Sequence, residues 1–108
     1  MLLWFRNDLR THDNPALHYF LRHVSANTQC EALFFVSEKQ WRQHHWSSIK
    51  IDFIKRHAYA LKNDLLKLNI DLKIIKVPDY SAQLSYLKAY CLEHNIERVI
   101  ANSELEIN

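Results

Sequence analysis

Three groups of side chains in this 108-residue chain could do chemistry. The first is Arg6, Asp8 and Arg10, which follow directly on the apolar run Leu2–Phe5. The second is Trp41, His44, His45 and Trp46, large rings set in an otherwise polar stretch. The third is Asn102, Glu104, Glu106 and Asn108, at the end of the chain. Alternating charges such as those of Arg6, Asp8 and Arg10 either touch a ligand or pair with one another and fix a loop. Aromatic side chains in a polar segment behind a strand make a candidate binding loop. Trp41 and Trp46 then serve as packing or as a surface against a bound ring. Adjacent histidines point apart in most backbones, and no carboxylate or cysteine lies at zinc-site spacing from His44 and His45, so a metal is not expected. Glu104 and Glu106 would face one way on a strand, but an exposed loop is the plainer reading. No nucleophile elbow and no spaced acid/base pair emerges.

The elements that must position these groups alternate in type. Leu2–Phe5 reads as a strand covered on both faces. Asp13 is a good N-cap and Pro15 a good early helical position, so a helix should begin near Asn14. Ala16, Leu17, Phe20, Leu21 and Val24 form its apolar face. Cys30–Val36 reads as a second, central parallel strand. Ser37–Trp46 shows no clear period and reads as a loop. Ser47 or Ser48 caps a long helix whose stripe is Ile51, Ile54, Ala58, Leu61, Leu65 and Leu68, with Asn69 as its stop. Its basic positions Lys50, Lys55, Arg56, Lys62 and Lys67 are interrupted by acids and read as a solvated face. Leu72–Val77, with two lysines, reads as a third strand at a sheet edge. Pro78 and Asp79 start a helix with Leu84, Leu87 and Cys91 as its stripe, ending near Asn95. Arg98–Ala101 is a short fourth strand. Such alternation predicts an α/β fold: a Rossmann-like open parallel sheet with right-handed crossovers and helices on both faces. With strand order 3-2-1-4, a ligand would sit where the order reverses, between the first and fourth strands, with the Glu38–Trp46 segment reaching over.

Composition narrows the functional classes. At 48% hydrophobic and 24% charged residues the chain reads as one globular domain. A net charge of +2 does not argue for nucleic acid by itself. No apolar run approaches the ~20 residues that span a bilayer. Two widely spaced cysteines, Cys30 and Cys91, and no signal-peptide pattern suggest buried thiols in a reducing, cytoplasmic setting. Glycine is absent. A dinucleotide fingerprint and a phosphate-cradling P-loop both need it, which counts against a nucleotide-binding α/β module.

Trp4-Phe5-Arg6, Asp8-Leu9-Arg10, Asp13-Asn14 and Ala16-Leu17 together resemble the N-terminal signature of the DNA photolyase/cryptochrome family. Gln40, Trp41 and His44 look like the family's segment after the second strand. Asn102, Glu104 and Asn108 look like its motif after the fourth, an asparagine, an acidic residue and then Asn-Glu. The glutamate expected after Asn108 lies beyond the chain's end, as do a fifth strand and further helices. The resemblance thus implies a truncated N-terminal domain over residues 1–108. It also implies an antenna chromophore, a methenyltetrahydrofolate or a deazaflavin or flavin type. Asn108 would contact the pterin edge, and Trp41 and His44 would pack on the chromophore. The implied partner is a helical domain that binds FAD and, through it, damaged DNA; the fragment alone should repair nothing. The resemblance implies the N-terminal domain of a light-dependent DNA photolyase, with a cryptochrome photoreceptor as the alternative.

Overall fold

The computed structural model describes residues 1–6, 9, 11, 14–23 and 30–102, with the backbone alone for Cys30. The elements run β1 (Leu2–Phe5), α1 (Pro15–His23), β2 (Cys30–Val36), α2 (Glu38–Gln43), α3 (Ser48–Leu66), β3 (Ile70–Lys76), α4 (Tyr80–Glu93) and β4 (Val99–Ile100). The four strands form one sheet in the order β3-β2-β1-β4, with every neighbouring pair parallel. This is the expected α/β architecture.

All four residues of β1 are buried, as a central strand between two helical layers requires. Its alternate side chains divide the core. Leu3 and Phe5 join Phe34, Leu72 and the buried faces of α1 and α3. Leu2 and Trp4 join Leu33, Phe35 and Tyr90 of α4 on the opposite face. β3 is an edge strand, and its exposure rises towards Lys76.

The long helix α3 starts at Ser47, whose side chain accepts from the Lys50 N–H. It buries Ile51, Ala58, Leu61 and Leu65, while Ile54 is only partly covered and Leu68 lies beyond the helix, 42% exposed. In α1 the buried face is Ala16, Leu17 and Phe20; Leu21 points outward, and Val24 lies outside the described residues. Asp13 lies outside them too, and Asn14 does the capping. Its side chain accepts from the Leu17 N–H at 3.2 Å. The stripe of α4 also differs from expectation. Leu87 and Cys91 pack on the core, but Leu84 is 44% exposed and the inward positions are Tyr86 and Tyr90. The Tyr90 hydroxyl donates to Glu31 and accepts from Lys73, so a polar tip is buried with its partners. Burial and the Glu31 contact push this phenol's pKa up.

A chain without glycine must still end its helices. His45, Asn69 and Asn95 take φ of 63°, 61° and 55°, the left-handed conformation usually left to glycine. Asn and His tolerate it better than most side chains.

Candidate functional site: a cleft beneath a short helix

Ser37–Trp46 is not a loop. Residues Glu38–Gln43 form α2, one and a half turns with no buried residue. No apolar period marks it because it rests on polar ties. Glu38 pairs with Arg42 at 2.8 Å within the helix and with Lys55 of α3 at 2.7 Å. Those two bonds hold the Glu38 carboxyl at about 2, below its ordinary 4.5. Gln40 accepts from the Tyr80 N–H at the start of α4 at 2.7 Å, and Gln83 of α4 donates to the buried Ser37 hydroxyl at 2.7 Å. The short helix is therefore clasped between α3 and α4.

Its end shapes the site. The Trp46 N–H bonds back to the Trp41 carbonyl at 3.0 Å across the left-handed His45, a Schellman closure. This closure brings the two indoles face to face, with centroids 5.2 Å apart and planes 19° from parallel. The Lys50 ammonium sits 3.9 Å from the Trp46 ring centre. Across from them, the Arg6 guanidinium lies over Trp4 at 5.1 Å and near Tyr80 at 5.9 Å.

Between these groups lies a cleft of about 550 Å³. Phe5, Phe34 and Phe35, from the C-terminal ends of β1 and β2, contribute apolar lining, as do Leu9 and Ile54. Trp41, His44 and Trp46 wall one side, and Gln40, Tyr80 and Gln83 lie along the α4 side. Arg6 and Lys50 bring two cations, and among the described residues that line the cleft there is no carboxylate. Its volume and its mix of apolar lining with a few polar groups are those of a small-molecule site. Such a cleft suits a flat, conjugated ring that carries negative charge.

The structure brings Trp41 and His44 together in this lining. Asn108, Glu104, Glu106, Asp8 and Arg10 lie outside the described residues. The cleft opens over β1 and β2, beside the β1/β4 position expected from strand order, because α2 roofs that side. Lys50, read from sequence as part of a solvated face, is exposed and also lines the cleft. Gln40 was marked only by the family resemblance, and Tyr80 and Gln83 had no motif to mark them. Parallel topology was the one available signal, since it sets the β2–α2 and β3–α4 junctions on the same rim. Among the described residues no group of three or more His, Cys, Asp or Glu gathers as a metal site. None of their helices is long and apolar enough to cross a membrane.

A family model for DNA photolyase matches residues 1–108. The chain belongs to the DNA photolyase family. The deoxyribodipyrimidine photo-lyase of Buchnera aphidicola subsp. Acyrthosiphon pisum is 37% identical over 107 residues, 99% of this chain and 22% of that protein. The Escherichia coli (strain K12) deoxyribodipyrimidine photo-lyase is 33% identical over 107 residues, again 22% of its length. The mitochondrial deoxyribodipyrimidine photo-lyase of Saccharomyces cerevisiae is 33% identical over 93 residues, 81% of this chain and 16% of the relative. This photolyase-family chain thus spans about a fifth of the length of its bacterial relatives.

Proposed function

We propose that this chain is the α/β domain that holds the light-harvesting pigment of a deoxyribodipyrimidine photolyase, and that the pigment's ring lies in the cleft beneath α2. One observation carries the reading: an aromatic-walled cleft of about 550 Å³, with no carboxylate among the described residues that line it, stands at the C-terminal ends of β1 and β2. Family membership supplies the class of ligand. Once bound, the pigment supplies absorption at wavelengths where protein side chains absorb little.

The residues divide the work. The indoles of Trp41 and Trp46 offer a stacking face, and their pairing keeps that face rigid. Arg6 and Lys50 draw in the ligand's negative charge, from a phosphate, a carboxylate or an ionised ring oxygen. Phe34 and Phe35 exclude water beneath the ring. We take a deazaflavin or flavin as the pigment for this cleft, since its flat ring system can carry negative charge. Asn108 remains the candidate for the edge of a methenyltetrahydrofolate, on the resemblance alone. Docking to an FAD-binding helical domain, contact with damaged DNA and cleavage of the dimer's carbon–carbon bonds belong to the rest of the photolyase.

The test is a titration of the chain with flavin mononucleotide and with methenyltetrahydrofolate, read by pigment fluorescence. We expect saturable binding that Trp41→Ala weakens by about 1–3 kcal/mol, the cost of losing one ring-stacking face. Binding that ignores Trp41→Ala would place the pigment elsewhere.

A further inference from the structure

An open sheet in the order β3-β2-β1-β4 has a crevice between β1 and β4. In such folds the N-terminus of the helix after β1 faces that crevice, and its unpaired N–H groups hold phosphate. In this chain the donors of α1's first turn can be accounted for one by one. Pro15 has no N–H. The Ala16 N–H donates to Asn102 Oδ1 at 2.8 Å. The Leu17 N–H donates to Asn14 Oδ1 at 3.2 Å. The His18 N–H donates to the Asn14 carbonyl at 3.0 Å, the first bond of the helix proper. Asn102, two residues beyond β4, also donates from Nδ2 to Asn14 Oδ1 at 2.7 Å. Asn14 is fully buried. Two carboxamides, one from each side of the crevice, thus stand where a phosphate's oxygens would accept.

We propose that Asn102, with Asn14, is a specificity-determining residue that closes the α1 N-terminus to phosphate. The chain supplies its own acceptors at the switch point, so the described first-turn N–H groups of α1 are already bonded and are not offered to a nucleotide phosphate. The closure also ties the segment after the two-residue strand β4 to the start of α1. The inference goes beyond the pigment reading and holds whichever ring the cleft takes.

Amide NMR of the full chain tests it, with inorganic phosphate and AMP as probes. Wild type should show no saturable shift at Ala16 or Leu17 with either probe. The double variant Asn14→Gly/Asn102→Ala frees both N–H groups, and both amides should then shift saturably with phosphate. Asn102→Ala alone keeps the Asn14 cap and should give a smaller shift confined to Ala16. Asn102→Asp keeps an acceptor and adds negative charge, so its amides should stay silent. A saturable wild-type shift at Ala16 and Leu17 would overturn the proposal. So would folded opening variants whose Ala16 amide has moved, showing the bond lost, yet which ignore phosphate. A flavin titration that fails at the cleft leaves these amides unaffected, so the two readings fail separately.

Discussion

Single side chains in the cleft were legible in the sequence only where their chemistry was out of place. Trp41 and His44 stood out because large rings sat in a polar segment. Lys50 did not, because a lysine on a helix reads as solvated unless its neighbours are known; here it is drawn over Trp46. Glu38 gave no signal, yet it joins α2 to α3 through Lys55. Its folded pKa of about 2 lies below the ordinary 4.5. The linkage sign follows: the stabilisation is full above about pH 4.5 and is lost as pH falls towards 2. On acidification the near-ultraviolet circular dichroism of the Trp41–Trp46 pair should therefore change in that window. Glu38→Gln should show the altered signal already at neutral pH and no further change there. An identical acid transition in wild type and variant would contradict this role for Glu38.

Whether an element could be read from sequence depended on whether it buries an apolar face. β2 matched its expected bounds, Cys30–Val36, because a run from Ala32 to Val36 has no use except in a core. α3 was clear from its stripe. α2 was invisible because polar bonds hold it, and its one inward ring, Trp41, is too little for a period. β4 shrank from four residues to two, Val99–Ile100. The left-handed helix ends are a further element-scale feature. At His45 the φ of 63° costs an L-residue energy that glycine avoids. His45→Gly should raise thermal stability by about 0.5–1 kcal/mol, net of glycine's greater unfolded-state freedom. The stacked Trp41–Trp46 signal should persist. Destabilisation by His45→Gly, measured by denaturant titration, would show that the histidine ring makes a contact that outweighs its backbone cost.

At the scale of the molecule, the strand order followed from alternation and handedness, since right-handed crossovers leave few arrangements for β-α-β repeats. The site's position did not follow as fully. Strand order alone points to the β1/β4 crevice, but two asparagines fill its helix N-terminus, and α2 builds a cleft one strand over. Such a displacement depends on long-range hydrogen bonds, which no local pattern encodes. The principal core lies between the sheet and α1 and α3, and Leu65 is fully buried there. Leu65→Ala should cost about 2–5 kcal/mol. That is a large share of the 5–15 kcal/mol typical of a domain, so urea unfolding of this variant should show a much lower midpoint. A midpoint close to wild type would mean that the α3 face is not the main core.

The central claim is that a flat ligand ring lies against Trp41 and Trp46. The three tryptophans, Trp4, Trp41 and Trp46, give three indole N–H signals in a ¹H–¹⁵N spectrum, assignable by Trp→Phe substitution. The most direct measurement is that spectrum during titration with flavin mononucleotide. The account predicts large, saturable shifts of the Trp41 and Trp46 indoles, with Trp4, packed on the far face of β1, moving least. Shifts at Trp4 alone, or none at any of the three up to millimolar flavin, would contradict it.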